Sequence, residues 1–184
     1  MKRKFRIIDR QIIFSGKVVH LEKLKVRAAR NHVFQRELIK HRGASVVVPV
    51  LNDGRLVVVC QHRIATNGWL LEFPAGTLER GESPLNCAKR EIVEEIGYRA
   101  KKFVKLVDFY SAPGISTEKM HVYLATNLAP AKAQLDEDEF LEVQIVTENK
   151  LHTMIQRGRI KDAKTIIGFF YYLEYCKRRN RRLP

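Results

Sequence analysis

One segment, residues 76–98, constrains the fold more than any other, because both ends of a helix can be read from it. Ser83 is a favourable N-cap, Pro84 suits the first helical position, and Gly97 supplies a left-handed residue at the end. The sequence therefore predicts a helix from about Pro84 to Ile96. At about 100° per residue, the apolar residues form one stripe and the glutamates a neighbouring arc. The stripe is Leu85, Ala88, Ile92 and Ile96, and the arc is Glu91, Glu94 and Glu95.

The acidic arc indicates a cation site. Carboxylates three and four residues apart on a helix repel one another, which costs about a few tenths of a kcal/mol per pair unless a cation lies among them. Hard oxygen ligands from a helix and an adjacent loop suit Mg²⁺, with Mn²⁺ as a substitute, and these ions also bind substrate phosphates. The alternative is a solvated acidic helix face, which is the better interpretation of an arbitrary Glu-Xaa-Xaa-Glu-Glu run.

The spacing around the arc distinguishes these two interpretations. Gly76 is followed after five residues by Glu82, and after seven more by the run Arg90-Glu91-Ile92-Val93-Glu94-Glu95-Ile96-Gly97. This pattern resembles the Nudix box of the Nudix hydrolases at every fixed position. Tyr98 departs from the aliphatic residue that the family usually has, but this is a packing position. The resemblance therefore favours a metal site over a solvated face.

Composition suits one domain that attracts anions. The chain has 184 residues, of which 45% are hydrophobic, which is enough for a real core. Thirty-four Lys and Arg residues against twenty Asp and Glu give a net charge of +14, so the overall field would attract polyanions such as nucleotides. Residues 177–184 are predicted to form a solvated basic tail.

Cysteine usage and hydropathy predict a cytoplasmic protein without a membrane partner. Cys60, Cys87 and Cys176 are odd in number and have no metal-type or redox spacing, which fits reduced thiols. The basic N-terminus mixes charges among its apolar residues, unlike a signal peptide, and no apolar run approaches transmembrane length.

Strand patterns occupy most of the remaining chain. Residues 5–26 alternate loosely between apolar and polar around Ser15-Gly16, so they predict a strand pair in a separate N-terminal element. Residues 44–51 form a nearly continuous β-branched run, and Asn52-Asp53-Gly54 predicts a hairpin turn into residues 56–61. We expect that hairpin at the centre of the sheet. Other strands are predicted at residues 34–39, 103–110, 120–125 and 141–146, and helices near 150–157 and 162–177.

Three segments outside the box resemble the ADP-ribose pyrophosphatase branch of the Nudix family. They are the step Gln61-His62-Arg63, the lead-in Leu71-Glu72-Phe73-Pro74-Ala75-Gly76 and the turn Ser111-Ala112-Pro113-Gly114. Pro113 lies sixteen residues after Gly97, where that branch carries its diagnostic proline. The similarity extends from about residue 14 to residue 175.

The resemblance implies an α/β fold, namely an α/β/α sandwich around a mixed β-sheet with an N-terminal β element. The expected domains are an N-terminal strand element at residues 1–40, a Nudix hydrolase domain at residues 41–176 and the basic tail. The family is usually homodimeric, and its N-terminal strands reach across to help form the partner's substrate pocket. We therefore expect a homodimer.

The resemblance also assigns the catalytic groups. The acidic loop before the last strand would supply the base, which maps onto Glu137 or Glu139 and shifts the interpretation of that loop away from solvated surface. Glu94 would support both metal binding and catalysis. The groups that would hold Mg²⁺ are the Ala75 carbonyl and the carboxylates of Glu91, Glu94 and Glu95.

Substrate binding and structural roles complete the expected site. A guanidinium beside a diphosphate makes paired charge-assisted hydrogen bonds, which favours Arg63 as a substrate ligand, although a surface arginine is the alternative. The expected substrate-binding residues are Arg63, Glu72, Gly114 and Glu118. The residues expected to have structural roles in the motif are Gly76, Glu82, Arg90 and Gly97.

The implied reaction is hydrolysis of the diphosphate linkage in a nucleoside diphosphate sugar, giving a nucleoside monophosphate and a sugar phosphate. ADP-ribose is the first expected substrate, and GDP-mannose is another. Two alternatives remain open. Hydrolysis of RNA 5′ ends or dinucleoside polyphosphates is one; the net charge favours RNA as a substrate, whereas Pro113 disfavours it. A non-catalytic nucleotide sensor is the other, and the complete box disfavours it.

Overall fold

The computed structural model describes residues 5–134 and 140–180, and the chain divides into two compact units. The first unit contains residues 1–43 and 110–119, and the second contains residues 44–109 and 120–184. The strands are β1 (Arg6–Ser15), β2 (His20–Arg27), β3 (Val33–Lys40), β4 (Ala44–Pro49), β5 (Leu56–Arg63), β6 (Gly68–Glu72), β7 (Ala75–Thr77), β8 (Tyr98–Tyr110), β9 (Lys119–Pro130) and β10 (Leu141–Val146). The helices are α1 (Pro84–Glu94), α2 (Glu148–Gln156) and α3 (Ala163–Asn180).

The first unit is built on a three-stranded antiparallel sheet in the order β1-β2-β3. Its first hairpin turns at Gly16, whose N–H donates to the carbonyl of Val19 (2.9 Å), so the predicted strand pair forms. The turn that contains Pro113 belongs to the same unit. It is attached to β3 by hydrogen bonds from Ile39 to Ile115 (2.7 Å) and from Thr117 to Ile39 (2.9 Å).

The second unit contains a four-stranded mixed sheet and a three-stranded antiparallel sheet. The mixed sheet has the order β7-β4-β9-β8, with β4 parallel to β9 and antiparallel to β7. The other sheet has the order β10-β5-β6. This combination of mixed sheets and helices confirms the expected α/β fold class.

Helices cover both faces of these strands. Successive side chains of a strand point to opposite faces, so a strand that is apolar throughout must be covered on both. In β4, Val46 and Val48 pack in one core with residues of α2 and α3, whereas Val47 packs in a second core with residues of α1. Residues of α1 in that second core are Ala88 and Ile92, joined by Ile96, whereas Leu85 of the predicted apolar stripe is exposed.

The expected central hairpin is wrong in its pairing. β4 and β5 lie in different sheets, and an isolated bridge between Val50 and Leu56 connects the ends of the two strands. Each strand is an interior member of its own sheet, and this explains why both runs are almost entirely apolar. The sequence pattern indicates burial on two faces, but it carries no information about which strands become neighbours.

The other predicted elements form close to their expected positions, except that α3 continues to Asn180 and so includes the first residues of the predicted basic tail. Two short strands were not predicted. β6 and β7 fall in the lead-in to the box, where glycine and proline interrupt the strand pattern. Within the described residues, no helix has the length and apolar character needed to cross a membrane.

Candidate active site

α1 begins and ends close to the predicted positions, and this places the acidic arc. The hydroxyl of Ser83 accepts a hydrogen bond from the N–H of Asn86 (3.3 Å), as expected of an N-cap. Gly97 has a φ of +66°, which is the left-handed conformation that ends helices. The regular helix stops at Glu94, two residues before the predicted end, and Glu95 is its C-cap.

Arg90 is the central cation of the arc. Its Nε and Nη2 donate to the two carboxylate oxygens of Glu82 (3.0 Å each), and its Nη1 donates to Glu91 (2.7 Å) and Glu94 (2.8 Å). Glu82 also accepts from the N–H of Glu79 (2.9 Å), so it closes the loop before the helix. Hydrogen bonding from Arg90 lowers the pKa of the Glu82 carboxyl against the opposing effect of burial. One guanidinium therefore offsets the repulsion among these carboxylates.

Gly76 makes room for the Glu91 carboxylate. A Cβ atom at Gly76 would lie 1.7 Å from Oε1 of Glu91, so glycine allows the Glu91 carboxylate to occupy its present position. The thiol of Cys87 donates to the Gly76 carbonyl (3.4 Å). Burial, with the nearby charge of Glu91, raises the pKa of the Cys87 thiol to about 12, so it keeps its proton and its donor role. α1 is thus packed directly against β7.

Glu95, the C-cap residue of α1, also contacts β7. Its Oε2 accepts a hydrogen bond from the N–H of Ala75 (3.3 Å). Glu95 is 3% exposed and Glu91 is 6% exposed. Two buried carboxylates therefore lie against the backbone of residues 75–76. The carboxylates and the backbone carbonyls there are hard oxygen donors.

This donor set fits a hard divalent cation such as Mg²⁺. Buried carboxylates require either a cation or hydrogen-bond donors, and Gly76 leaves the space that Glu91 needs. Arg90 supplies a cation to Glu91 and Glu94 in this structure. Across the described part of the chain, no three acidic, histidine or cysteine side chains form a ready-made metal cluster.

Arg63 and Glu72 form a paired ion bridge between β5 and β6. Nε of Arg63 donates to Oε1 of Glu72 (2.9 Å), and Nη2 donates to Oε2 (2.7 Å). Burial alone would raise the pKa of the Glu72 carboxyl, but hydrogen bonds from Arg63 and the charge of Lys164 outweigh it and lower that pKa. The hydrogen bonds to Glu72 raise the pKa of Arg63. Both groups are therefore ionised.

Three residues at the start of α3 join this pair and were missed by sequence reasoning. Lys164 contacts the Glu72 carboxylate and also donates to Asp162 (3.0 Å). Asp162 caps the helix, because its carboxylate accepts a hydrogen bond from the N–H of Thr165 (2.9 Å). An Asp followed three residues later by Thr is a readable capping signal, but nothing in the sequence indicates that Lys164 points inward.

The remaining predicted site residues are Gly114, Glu118, Glu137 and Glu139. Gly114 and Glu118 belong to the first unit. Oε2 of Glu118 accepts from the hydroxyl of Ser111 (2.5 Å), and Oε1 lies 3.5 Å from Nδ1 of His41. Glu137 and Glu139, the expected base, lie outside the described residues.

Known proteins resemble this chain in sequence. The model of the NUDIX domain matches residues 40–168. The ADP-ribose pyrophosphatase of Bacillus subtilis (strain 168) is 40% identical over 168 residues, 90% of this chain and 91% of that protein. The methanol dehydrogenase activator of Bacillus methanolicus is 36% identical over 168 residues, with the same coverage. The GDP-mannose pyrophosphatase of Yersinia enterocolitica is 37% identical over 138 residues, 70% of this chain and 72% of that protein.

A solved structure supports the fold. The crystal structure of an ADP compounds hydrolase superimposes with a TM-score of 0.85 and covers 97% of each chain at 22% sequence identity. The family model spans more than half of the chain, and the Bacillus subtilis relative matches nearly all of it. The chain therefore belongs to the NUDIX domain family.

Proposed function

We propose that this chain is a Mg²⁺-dependent pyrophosphatase that cleaves the diphosphate of nucleoside diphosphate sugars, with ADP-ribose preferred and GDP-mannose as another substrate. The observation that carries the proposal is the pair of buried carboxylates, Glu91 and Glu95, held against the backbone of Ala75 and Gly76. Two relatives are named for pyrophosphatase activity on ADP-ribose or GDP-mannose, which supports the substrate class.

Each residue of the box has a proposed task. Glu91, Glu95 and the Ala75 carbonyl would hold Mg²⁺, with Glu94 in support and Mn²⁺ as a substitute. The bound ion would neutralise phosphate charge and activate water. Arg90 orients Glu91 and Glu94 through hydrogen bonds of 2.7 and 2.8 Å, and Glu82 in turn holds Arg90.

Outside the box, we propose that Arg63 binds the diphosphate and that Glu72 holds Arg63 in place. Glu72 engages two N–H groups of a guanidinium that has five, so donors remain for an anion. Glu137 or Glu139 is proposed to accept the proton of the attacking water. Gly114 and Glu118 are further proposed substrate contacts, as the turn resembles that of the ADP-ribose pyrophosphatase branch.

A substrate panel tests this proposal. The purified protein is incubated with Mg²⁺ or with excess chelator and with ADP-ribose, GDP-mannose, UDP-glucose, a dinucleoside polyphosphate and RNA bearing a 5′ triphosphate, and products are identified by chromatography. We expect AMP and ribose 5-phosphate from ADP-ribose, and no products with chelator. Cleavage of RNA alone would replace the proposed function, and binding of ADP-ribose without cleavage would indicate a sensor.

We also propose that the active form is a homodimer in the cytoplasm. Large apolar side chains on β1 are exposed, among them Ile7, Ile12 and Phe14, which is typical of a surface that pairs with another chain. The free thiols of Cys60, Cys87 and Cys176 suit a reducing compartment.

Substitution of Ile12 tests the proposed dimer. Light scattering of the wild-type protein should give twice the mass of the 21.4 kDa chain, and Ile12→Asp should reduce it toward one chain. A buried charge without a partner costs several kcal/mol, so the substitution should weaken association strongly. Arg6→Asp is a control on the same exposed strand. A wild-type mass of one chain at micromolar concentration would refute the dimer.

A further inference from the structure

A buried cluster of charges at the start of α3 is not explained by the proposed catalytic groups alone. The side chain of Lys164 is 12% exposed, and its ammonium contacts the carboxylate of Glu72, whose side chain is 2% exposed. A lysine pays a large desolvation cost at such a position unless it is paired. Glu72 is already paired with Arg63 through two hydrogen bonds. The Glu72 carboxylate therefore contacts two cations, Arg63 and Lys164.

The position of Lys164 is fixed from both sides. Asp162 accepts from the N–H (2.9 Å) and the hydroxyl (2.6 Å) of Thr165, so the first turn of α3 is capped. The Thr165 hydroxyl oxygen accepts from the N–H of Phe73 (2.7 Å), the residue that follows Glu72. Because Lys164 also donates to Asp162 (3.0 Å), its ammonium is held between two carboxylates on a rigid frame.

The two cations differ in exposure. The side chain of Arg63 is 38% exposed, whereas that of Lys164 is 12% exposed. Nε and Nη2 of Arg63 donate hydrogen bonds to Glu72, whereas Nη1 takes no part in this pairing. An anion arriving from solvent would therefore meet Arg63 and not Lys164.

We propose that Lys164 is a positioning residue that keeps Arg63 available to the substrate diphosphate. Lys164 contacts the same Glu72 carboxylate as Arg63. It fixes the orientation of that carboxylate, and it offsets part of the negative charge with which Glu72 holds Arg63. Without Lys164, the Glu72 and Asp162 carboxylates are left with Arg63 as the one cation of the cluster, so the cluster becomes net negative and attracts a diphosphate less strongly. This inference rests on the proposed function, because it assumes that Arg63 binds the diphosphate.

The charge of Lys164 is removed in two ways to test this role. Lys164→Gln keeps a hydrogen-bond donor toward Glu72, and Lys164→Met keeps the length of the side chain. The KM for ADP-ribose can be measured with whichever of the two variants folds. We expect the KM for ADP-ribose to rise about tenfold while kcat changes less than about threefold, as expected for lost binding of both substrate and transition state. Lys164→Arg, which retains the charge, should restore most of the affinity.

Lys161→Met is the matched control. Lys161 is exposed and lies three residues earlier, so the variant loses the same charge from the same segment. Its KM should equal that of the wild-type protein. An equal rise in KM in both variants would show that net charge alone is responsible and would overturn the proposal.

A double-mutant cycle distinguishes positioning from general destabilisation. If Lys164 acts through Arg63, then Lys164→Gln should leave the KM unchanged in an Arg63→Gln background. Independent, multiplicative effects, or a lower Tm with an unchanged KM, would assign Lys164 a purely structural role. If the wild-type protein does not hydrolyse ADP-ribose, the proposed function fails separately, and the same comparison is made with calorimetric Kd values for ADP-ribose.

Discussion

Replacement of Glu95 by glutamine is expected to reduce kcat by about a thousandfold without unfolding the protein. Glu95 is buried at 3% exposure, and its carboxylate accepts a hydrogen bond from Ala75 (3.3 Å). The glutamine carbonyl has the same shape and can accept that bond. The charge is lost, however, and with it a proposed hard anionic ligand for Mg²⁺. Catalysis and folding should therefore respond differently to the same substitution.

The measurements are kcat with ADP-ribose at saturating Mg²⁺, the Mg²⁺ affinity by calorimetry, and the Tm. With chelator present, the Tm of Glu95→Gln should equal or exceed that of the wild-type protein, because the substitution neutralises one of several carboxylates that repel one another. Glu79→Gln is the control, since Glu79 is an exposed glutamate of the same motif. Turnover of Glu95→Gln within about threefold of wild type would remove Glu95 from the proposed metal site.

The parts of the site that could be predicted from sequence are those determined by local geometry. A helix with Ser83 at one end and Gly97 at the other has its phase fixed, so the relative positions of Glu91, Glu94 and Glu95 follow from residue spacing alone. The structure places Glu91 and Glu95 in the buried positions and leaves Glu94 more exposed. The fold class was predicted differently, from the resemblance to the Nudix hydrolases, because local strand and helix patterns do not by themselves determine how the sheets are assembled.

Non-local pairing is what the sequence could not supply. β4 and β5 both read as buried strands, yet nothing in either run indicates that they join different sheets. Lys164 lies 92 residues from Glu72, and a lysine in the first turn of a helix is ordinarily solvated. Its inward direction depends on Thr165, which ties the helix to Phe73 (2.7 Å). Such contacts are set by packing between elements and leave no periodic signal.

Replacement of Gly76 by alanine is expected to reduce both activity and stability. The added Cβ would lie 1.7 Å from Oε1 and 2.1 Å from Cδ of Glu91, far inside contact distance. Glu91 cannot easily move, because it is buried and its carboxylate accepts from Arg90 (2.7 Å). Overpacking of this kind costs about 1–3 kcal/mol. We expect a lower Tm, and a kcat reduced by about a hundredfold because the displaced Glu91 would no longer face the proposed metal position.

Gly68→Ala is the control for the loss of a glycine. A Cβ at Gly68 would have its nearest neighbour at 3.7 Å, an ordinary contact, so activity and Tm should be unchanged. The cause of the Gly76 effect is tested by adding Glu91→Asp, which shortens the carboxylate side chain by one methylene. If the clash with Glu91 is responsible, the double variant should recover much of the lost Tm while remaining inactive, because the shortened carboxylate would not reach the proposed metal position. A Tm that stays as low as that of Gly76→Ala would instead show that the backbone of β7, and not Glu91, requires glycine.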